Sequence, residues 1–444
     1  MSNYIVAIDL GTSHITGIVG EKKTNGSFSI VAIESVETET CIHRGIIYDS
    51  DETATFIKTI LSKLERNLKG DFIDKIYIGV GGQSLHTIDH VESMQIEEGA
   101  SVTEEDIATL EEQCKKYKPD LKDVLCIAHV VYYVNGLKCT KPVGVLGDVL
   151  EAHYKLVVGR SSIRHRITKS IETIHDKELA GVIVSPIALA DAVLSSRDKE
   201  LGCALVDFGA GVTSVSIFKD GDLQHLCVIP LGGKMITRDI STLQLTKDDA
   251  EKLKKEKGSA ILLNEEDDEI IPIGMEGAER EIKKSDLNMI IEGRTREIVE
   301  NVYARIQDVI ELKQLGAGIV LAGGGSELMN LPELLNDKCR GKVRTSTIKI
   351  GLVEDSDEMQ GNPSYMMAIS LMMKGTEACT SSVNGNNLEG NNQNTPEGTP
   401  IENPITDKVI IKNPDVKVNP PIPRRGFKEK VKDIFVTRLF EEEG

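Results

Sequence analysis

"YIVAIDLGTSHITGIVGE" (residues 4–21) decides how this chain folds. An apolar run ends at Asp9 and Leu10, turns through Gly11, Thr12 and Ser13, and becomes apolar again after His14. The pattern reads as two buried antiparallel strands with a polar tip. Glycine lets a backbone approach a phosphate closely, and a tight turn aims successive N–H groups at an anion. Thr12 and Ser13 add hydroxyl donors. An aspartate at the strand end would repel a phosphate unless a cation lay between them, so Asp9 implies Mg²⁺ held through water.

The same device returns in "CALVDFGAGVTSVSIFKDGDLQHLCVIPLGG" (residues 203–233), where Asp207, Gly209, Ala210, Gly211 and Thr213 echo the first turn. One such turn is an ordinary hairpin signal. Two, each heading a strand–turn–strand–turn–strand run, indicate an internal duplication into two α/β lobes. A third motif, "AGGGSE" (322–327), sets Gly323, Gly324 and Gly325 between an expected strand and helix, where the chain can pass against a flat purine. No G-x-x-x-x-G-K-[ST] occurs, which excludes a P-loop.

Around these motifs the spacing predicts strands at 4–10, 14–20 and 28–36, a helix over 51–70, and a strand at 75–82. Residues 83–165 read as a mixed insertion with one polar helix near 103–118 and strands at 124–134 and 153–159. A helix (161–176), a strand (181–185) and a helix (186–196) restore the first lobe. After the second hairpin set come a charged, helix-rich stretch (241–290), a long helix over 290–315, and the glycine-rich closing unit. From about 376 the chain turns rich in Asn, Gly, Pro and Thr, the composition of a disordered tether.

The 444 residues exceed one compact core. With 40% hydrophobic and 27% charged residues the composition is that of a globular protein, with no apolar run long enough to span a bilayer. No secretory leader pattern opens the chain. Eight scattered cysteines without a C-x-x-C pair read as reduced thiols, and His86 and His90 lack a third ligand. A net charge of −18 argues against nucleic acid as a partner.

In this order, "DLGTS", "DFGAG" and "LAGGGS" resemble the actin/Hsp70/hexokinase ATPase superfamily, over roughly residues 1–375. The inserted segment, "PLGGKMITRDI", the long helix before "VLAGGGSELMNLPEL" and the terminal tether resemble one branch, the FtsA family of bacterial cell-division proteins. The resemblance implies two ribonuclease-H-like lobes clamping ATP and Mg²⁺. It places the first lobe at 1–82 and 166–195, the insert at 83–165, the second lobe at 196–240 and 296–375, and a small subdomain at 241–295. By position it implies Gly11, Thr12, Ser13 and His14 in the first phosphate loop, and Gly209, Ala210, Gly211 and Thr213 in the second. Gly232, Gly233, Gly323, Gly324 and Gly325 belong to the nucleotide site, Glu251 and Lys254 reach the nucleoside, and Asp9 and Asp207 hold the metal. Two departures stand out. His14 occupies the place of the family's usual lysine, which makes a fixed charge titratable. Ser185 stands where actin-like ATPases carry a Glu or Gln that positions water, so hydrolysis is expected to be slow at most.

The last stretch, "RRGFKEKVKDIFVTRLFEEEG" (424–444), sets Phe427, Val431, Ile434, Phe435 and Leu439 on one helical stripe. Arg424, Arg425, Lys428, Lys430, Lys432 and Arg438 outnumber Glu429 and Asp433 by four around it. Burying five such apolar side chains contributes roughly 1.5–3 kcal/mol each before ordering costs. A tether spanning 376–423 as a flexible coil separates its ends by roughly 40 Å, which favours an anionic membrane surface over docking on the body. The resemblance further implies self-association, other division proteins, and the FtsZ C-terminal peptide as partners, at the inner face of the cytoplasmic membrane at the division site. Arg294 and Asn301 are the candidate contacts for that peptide. A small-molecule kinase of the same fold is the competing enzyme reading, weakened by the absence of Trp and only 4% aromatic residues. A pilus-assembly relative is the competing actin-like one, without the terminal helix. The residues after 375 are too polar for an Hsp70-type client domain.

Overall fold

The computed structural model describes residues 4–262, 268–273, 280–354 and 362–382. The first lobe grows from the opening hairpin. β1 (Tyr4–Leu10) and β2 (His14–Lys22) pair antiparallel, with Asp9 opposite Thr16, and β3 (Phe28–Glu37) continues on the far side of β2. The short pair β4 (Ile42–His43) and β5 (Ile46–Ile47) leads into α1 (Ser50–Glu65). Asp49 caps α1 by accepting from the N–H groups of Asp51 and Glu52, and Ile57, Ile60, Leu61 and Leu64 form its buried stripe. After β6 (Asp71–Ile73), β7 (Lys75–Val80) runs parallel to β1.

The chain then leaves for the insertion: β8 (His86–Gln95), α2 (Glu104–Lys116), β9 (Lys122–Val134), β10 (Leu137–Cys139) and β11 (Val149–Arg160). A capping box between Thr103 and Asp106 starts α2. The chain returns through α3 (Ser162–Glu172), β12 (Glu178–Val184), α4 (Ser185–Val193) and α5 (Ser196–Leu201). The first sheet has the order β12-β7-β1-β2-β3.

The second lobe repeats that plan. β13 (Cys203–Phe208), β14 (Thr213–Lys219) and β15 (Asp222–Ile229) form the antiparallel run. α6 (Gly233–Ile240), α7 (Lys247–Lys257), the β16 (Ile270–Ile273) and β17 (Arg280–Lys283) hairpin, and α8 (Lys284–Gln307) follow. β18 (Gly318–Ala322) then lies parallel to β13, and beyond α9 (Leu331–Cys339) β19 (Val343–Thr345) lies parallel to β18. The order β15-β14-β13-β18-β19 matches β3-β2-β1-β7-β12 strand for strand, which is the duplication expected from the paired turns.

Among the described residues the buried apolar side chains form three cores: one centred on the first lobe and reaching onto the second-lobe sheet through Leu205, Phe218 and Val320, one in the second lobe, and one in the insertion. The insertion's sheet joins the second-lobe sheet edge to edge, giving the order β10-β9-β11-β8-β15-β14-β13-β18-β19. The seam is thin: Cys227 pairs with His86, and the Leu226 N–H donates to Thr87 Oγ1 at 3.1 Å. Because the insertion leaves and re-enters the first lobe, it touches both halves of the molecule.

Three expectations require correction, and one strand was not anticipated. The strand β8 has no apolar run to announce it, since "HTIDHVESMQ" is half-buried on alternate residues. The long helix spans 284–307 and not 290–315, its start set by the β17 hairpin inside the stretch expected to be helical. The closing helix α10 (Pro363–Met372) does not belong with the second lobe. It packs on α4, β1 and β2, with Leu371 and Met372 admitted where Gly79 and Gly20 leave room. The tether also does not begin at 376. The Cys379 N–H donates to the Tyr4 carbonyl, and β20 (Thr380–Ser382) pairs with β6. The rest of the expected tether and the amphipathic stripe, with Phe427, Lys428, Val431, Ile434, Phe435, Arg438 and Leu439, lie outside the described residues.

Candidate functional site

The two hairpin tips meet between the lobes. A Cβ at Gly211 would overlap the Thr12 side chain, so the second tip can approach the first only because residue 211 is glycine. Gly11, Thr12, Ser13 and His14 form one rim. Thr12 Oγ1 accepts from the Gly45 N–H at 3.0 Å, and Ser13 Oγ lies 3.0 Å from His14 Nδ1. Gly209 and Ala210 form the other rim, their carbonyls accepting from the N–H groups of Gly233 (3.0 Å) and Lys234 (2.8 Å). That pair of bonds, with Gly232 as N-cap, fixes the start of α6 over the second hairpin.

Asp9 and Asp207 stand at the ends of β1 and β13, where the duplicated topology brings two strand ends together. Burial lifts the Asp9 carboxyl to about 7, and the Asp207 charge pushes the same way. Burial likewise lifts Asp207 to about 6, against a weak opposing hydrogen bond from Ser214. Two low-dielectric carboxylates that disfavour each other's charge suit a divalent cation. Among the described residues no group of three or more His, Cys, Asp or Glu could hold a metal unaided. Two carboxylates therefore fit a cation whose remaining ligands are water and a bound phosphate.

Gly323 takes φ +81°, the left-handed region, and a Cβ there would lie 2.7 Å from the Phe208 carbonyl and overlap Asp207. The glycine-rich turn is thus held against the end of β13, while Gly324 faces open space. Gly325 packs over the Phe208 ring. Gly324 and Gly325 open a short 3₁₀ turn (Gly324–Glu327) that ends before α9 begins at Leu331, so the α9 N-terminus is not at the glycine-rich turn itself.

Glu251 and Lys254 sit one helical turn apart on α7. Lys254 Nζ donates to Glu251 Oε2 at 2.7 Å, Thr237 Oγ1 at 2.9 Å and the Gly233 carbonyl at 3.3 Å. Burial lowers Lys254. Burial alone would raise Glu251, but Lys254, Thr237 and Lys255 together hold it below the usual carboxylate range. The two form an ion pair beside Gly233.

Not every expected residue reaches the cleft. Thr213 is wholly buried and donates to the Leu231 carbonyl at 2.9 Å, tying β14 to the chain before α6 instead of offering a hydroxyl to a ligand. Ser185 is also buried, against Gly79, and its hydroxyl has no partner among the described residues. Burial lowers His14, partly opposed by Glu37 and reinforced by Lys255 and Lys234, so the ring is neutral near pH 7. Arg294 is engaged by Asp239 at 2.6 Å and by Glu297, and Asn301 donates to the Glu297 carbonyl at 2.8 Å. His90 pairs with Glu92 and stacks on Tyr117, a packing role.

Sequence reasoning missed Lys234 and Thr38. Lys234 Nζ crosses from α6 to the first lobe and donates to the Thr12 carbonyl at 2.7 Å and the Thr38 carbonyl at 3.3 Å. One signal was available: a lysine in the first turn of a helix opposes the helix dipole, and "GGK" puts one there.

A family model described as "Cell division protein FtsA" matches residues 204–370, and one described as "SHS2 domain inserted in FTSA" matches residues 82–158. The chain is 31% identical over 389 residues to the cell division protein FtsA of Porphyromonas gingivalis, covering 87% of this chain and 81% of that one. It is 30% identical over 373 residues to the Bacillus subtilis protein of the same name, covering 83% and 82%. Among solved structures, a "PilM-PilN type IV pilus biogenesis complex" chain superposes with a TM-score of 0.55 at 16% identity, over 83% of this chain and 97% of that one.

Proposed function

The chain belongs to the FtsA family of cell-division proteins, with that family's actin-like fold and SHS2 insert, and from this premise we propose that it is an ATP-binding scaffold of the division machinery. In this reading it assembles into filaments on the inner face of the cytoplasmic membrane, links FtsZ filaments to that surface through the FtsZ C-terminal peptide, and recruits later division proteins. The observation that carries the nucleotide part is the convergence of two matched hairpins, with Asp9 and Asp207 at their bases, and the Gly323–Gly325 turn around one cleft.

Mg²⁺, when bound, would neutralise phosphate charge and lower the repulsion between Asp9 and Asp207. The chain's own residues do the rest. The backbone of residues 11–13 and 209–211 lines the phosphates, Gly324 leaves room for the base, and Glu251 with Lys254 orders the start of α6. Ser185, buried and short, is a poor water-positioning group, which supports a binding switch with slow turnover over a fast ATPase. The membrane part rests on the amphipathic pattern of 424–441. The peptide contact rests on Arg294 and Asn301, seven residues apart on one face of α8.

Electron microscopy of the full chain on an anionic lipid monolayer with MgATP tests the whole reading. Ordered filaments are expected; dispersed monomers that phosphorylate a small molecule would overturn it. Removing 424–444 is expected to abolish liposome co-sedimentation, and a truncated chain that still pellets would refute the assignment of the tail.

A further inference from the structure

Three lysines lie near the hairpin tips, and two of them share one carboxylate. Lys254 and Lys255 both pair with Glu251, at 2.7 and 3.6 Å. Lys234 makes no ion pair among the described residues. Its ammonium lies half-buried on two backbone carbonyls of the first lobe, Thr12 and Thr38. Burial lowers its pKa, partly offset by Glu39, Glu251 and Glu37 at longer range. An ammonium carries three N–H donors, and two carbonyls leave one unpartnered. Beside it, the Thr38 hydroxyl is buried with no partner among the described residues, while the Thr38 N–H donates to the Ser13 carbonyl at 2.7 Å. Lys255 also acts on His14 through space, but Lys234 is the cation seated on the rim's own backbone, and the neutral His14 ring adds no charge there. A half-buried ammonium with one donor left over is stabilised by an anion that takes that donor up.

We propose that Lys234 is the polyphosphate-reading residue of the cleft: rooted in the second lobe and resting on the first hairpin, it gives its free donor to the terminal phosphates of a bound nucleotide. The inference rests on the nucleotide reading of the cleft and assigns that site a discriminating residue. The same geometry explains how occupancy would be felt by both lobes. The side chain spans them, so a phosphate that engages the ammonium strengthens a contact that already joins α6 to the loop after β1.

Two variants separate phosphate reading from simple strapping. Lys234→Gln keeps a donor for the Thr12 carbonyl but loses the charge; Lys234→Met loses both. Competition against a fluorescent ATP analogue on the full chain yields affinities for MgATP and for AMP. If Lys234 reads the polyphosphate, both variants lose at least tenfold in MgATP affinity and less than threefold in AMP affinity. Equal losses for the two ligands, or a Lys234→Gln chain that binds MgATP as the unaltered chain does, would overturn the proposal and leave nucleotide binding intact. An unaltered chain that MgATP does not engage would remove the nucleotide reading and this assignment together. AMP binding also reports that each variant is folded.

Discussion

Asp9→Asn should stabilise the ligand-free chain, and more so as the pH rises. The folded-state pKa of Asp9 is about 7, against 3.8 for an ordinary aspartate. A carboxyl with a raised folded pKa favours folding below the ordinary value and loses that contribution as pH climbs through the folded one. The window therefore runs from about pH 4 to pH 7, and above it the ionised pair costs the full amount. Each pKa unit is about 1.4 kcal/mol. Between pH 5 and pH 8 the linkage amounts to about 2–3 kcal/mol, and about 2 once water reaching the cleft edge is allowed for. For the compact unit spanning residues 1–388 the unfolding entropy is about 0.8 kcal/mol/K, so the melting-temperature advantage of the variant should widen by about 2–3 °C over that range. Thermal melts of the full chain in EDTA at both pH values read this directly. The same variant should lose the stabilisation that MgATP gives the unaltered chain. An Asp9→Asn chain that melts lower than wild type in EDTA at pH 8, or that MgATP stabilises undiminished, would refute the reasoning.

Other perturbations test single contacts. Ser185→Ala removes a buried hydroxyl with no partner and should raise stability by about 1 kcal/mol, with ATP turnover unchanged; a fall in turnover would return Ser185 to the chemistry. Gly211→Ala should push the hairpin tips apart, weakening MgATP binding at least tenfold in a titration while the circular dichroism spectrum stays native. Glu251→Gln leaves the buried Lys254 without its carboxylate and should destabilise the chain by about 1–3 kcal/mol in chemical denaturation; no change would show that the pair is not structural.

The fold was legible because its two decisive strand pairs are apolar runs broken by compact polar turns, a signal that survives without neighbours. β1 and β2 could be placed to within two residues, and β13 with β14 as a strand–turn–strand run of the same kind. What could not be read depends on tertiary company. β8 is half-buried along its length and is a strand because β11 pairs with it from His86 to Gln95. α10 is apolar enough to be buried anywhere, and only the gaps at Gly20 and Gly79 send it to the first lobe. Those gaps lie far from it in sequence.

The site divides along the same line. Residues whose role follows from backbone shape, such as Gly211 and Gly323, were recoverable, because a glycine in a tight turn carries its reason locally. Residues whose role follows from where a side chain ends were not. Thr213 reads as a ligand hydroxyl until the Leu231 carbonyl is found beside it. Lys234 reads as a surface charge until its ammonium is found 2.7 Å from a carbonyl 222 residues earlier in the chain. Both errors have one cause: the duplication folds α6 back over the second hairpin and against the first. Residues 231–234, where the motif marks the glycines but not the reach of Lys234, therefore become a place where the two lobes meet. The cation there makes no ion pair among the described residues and rests on carbonyls of the first lobe, so a phosphate that engaged it as proposed would act on both lobes at once, as two apolar surfaces in contact could not.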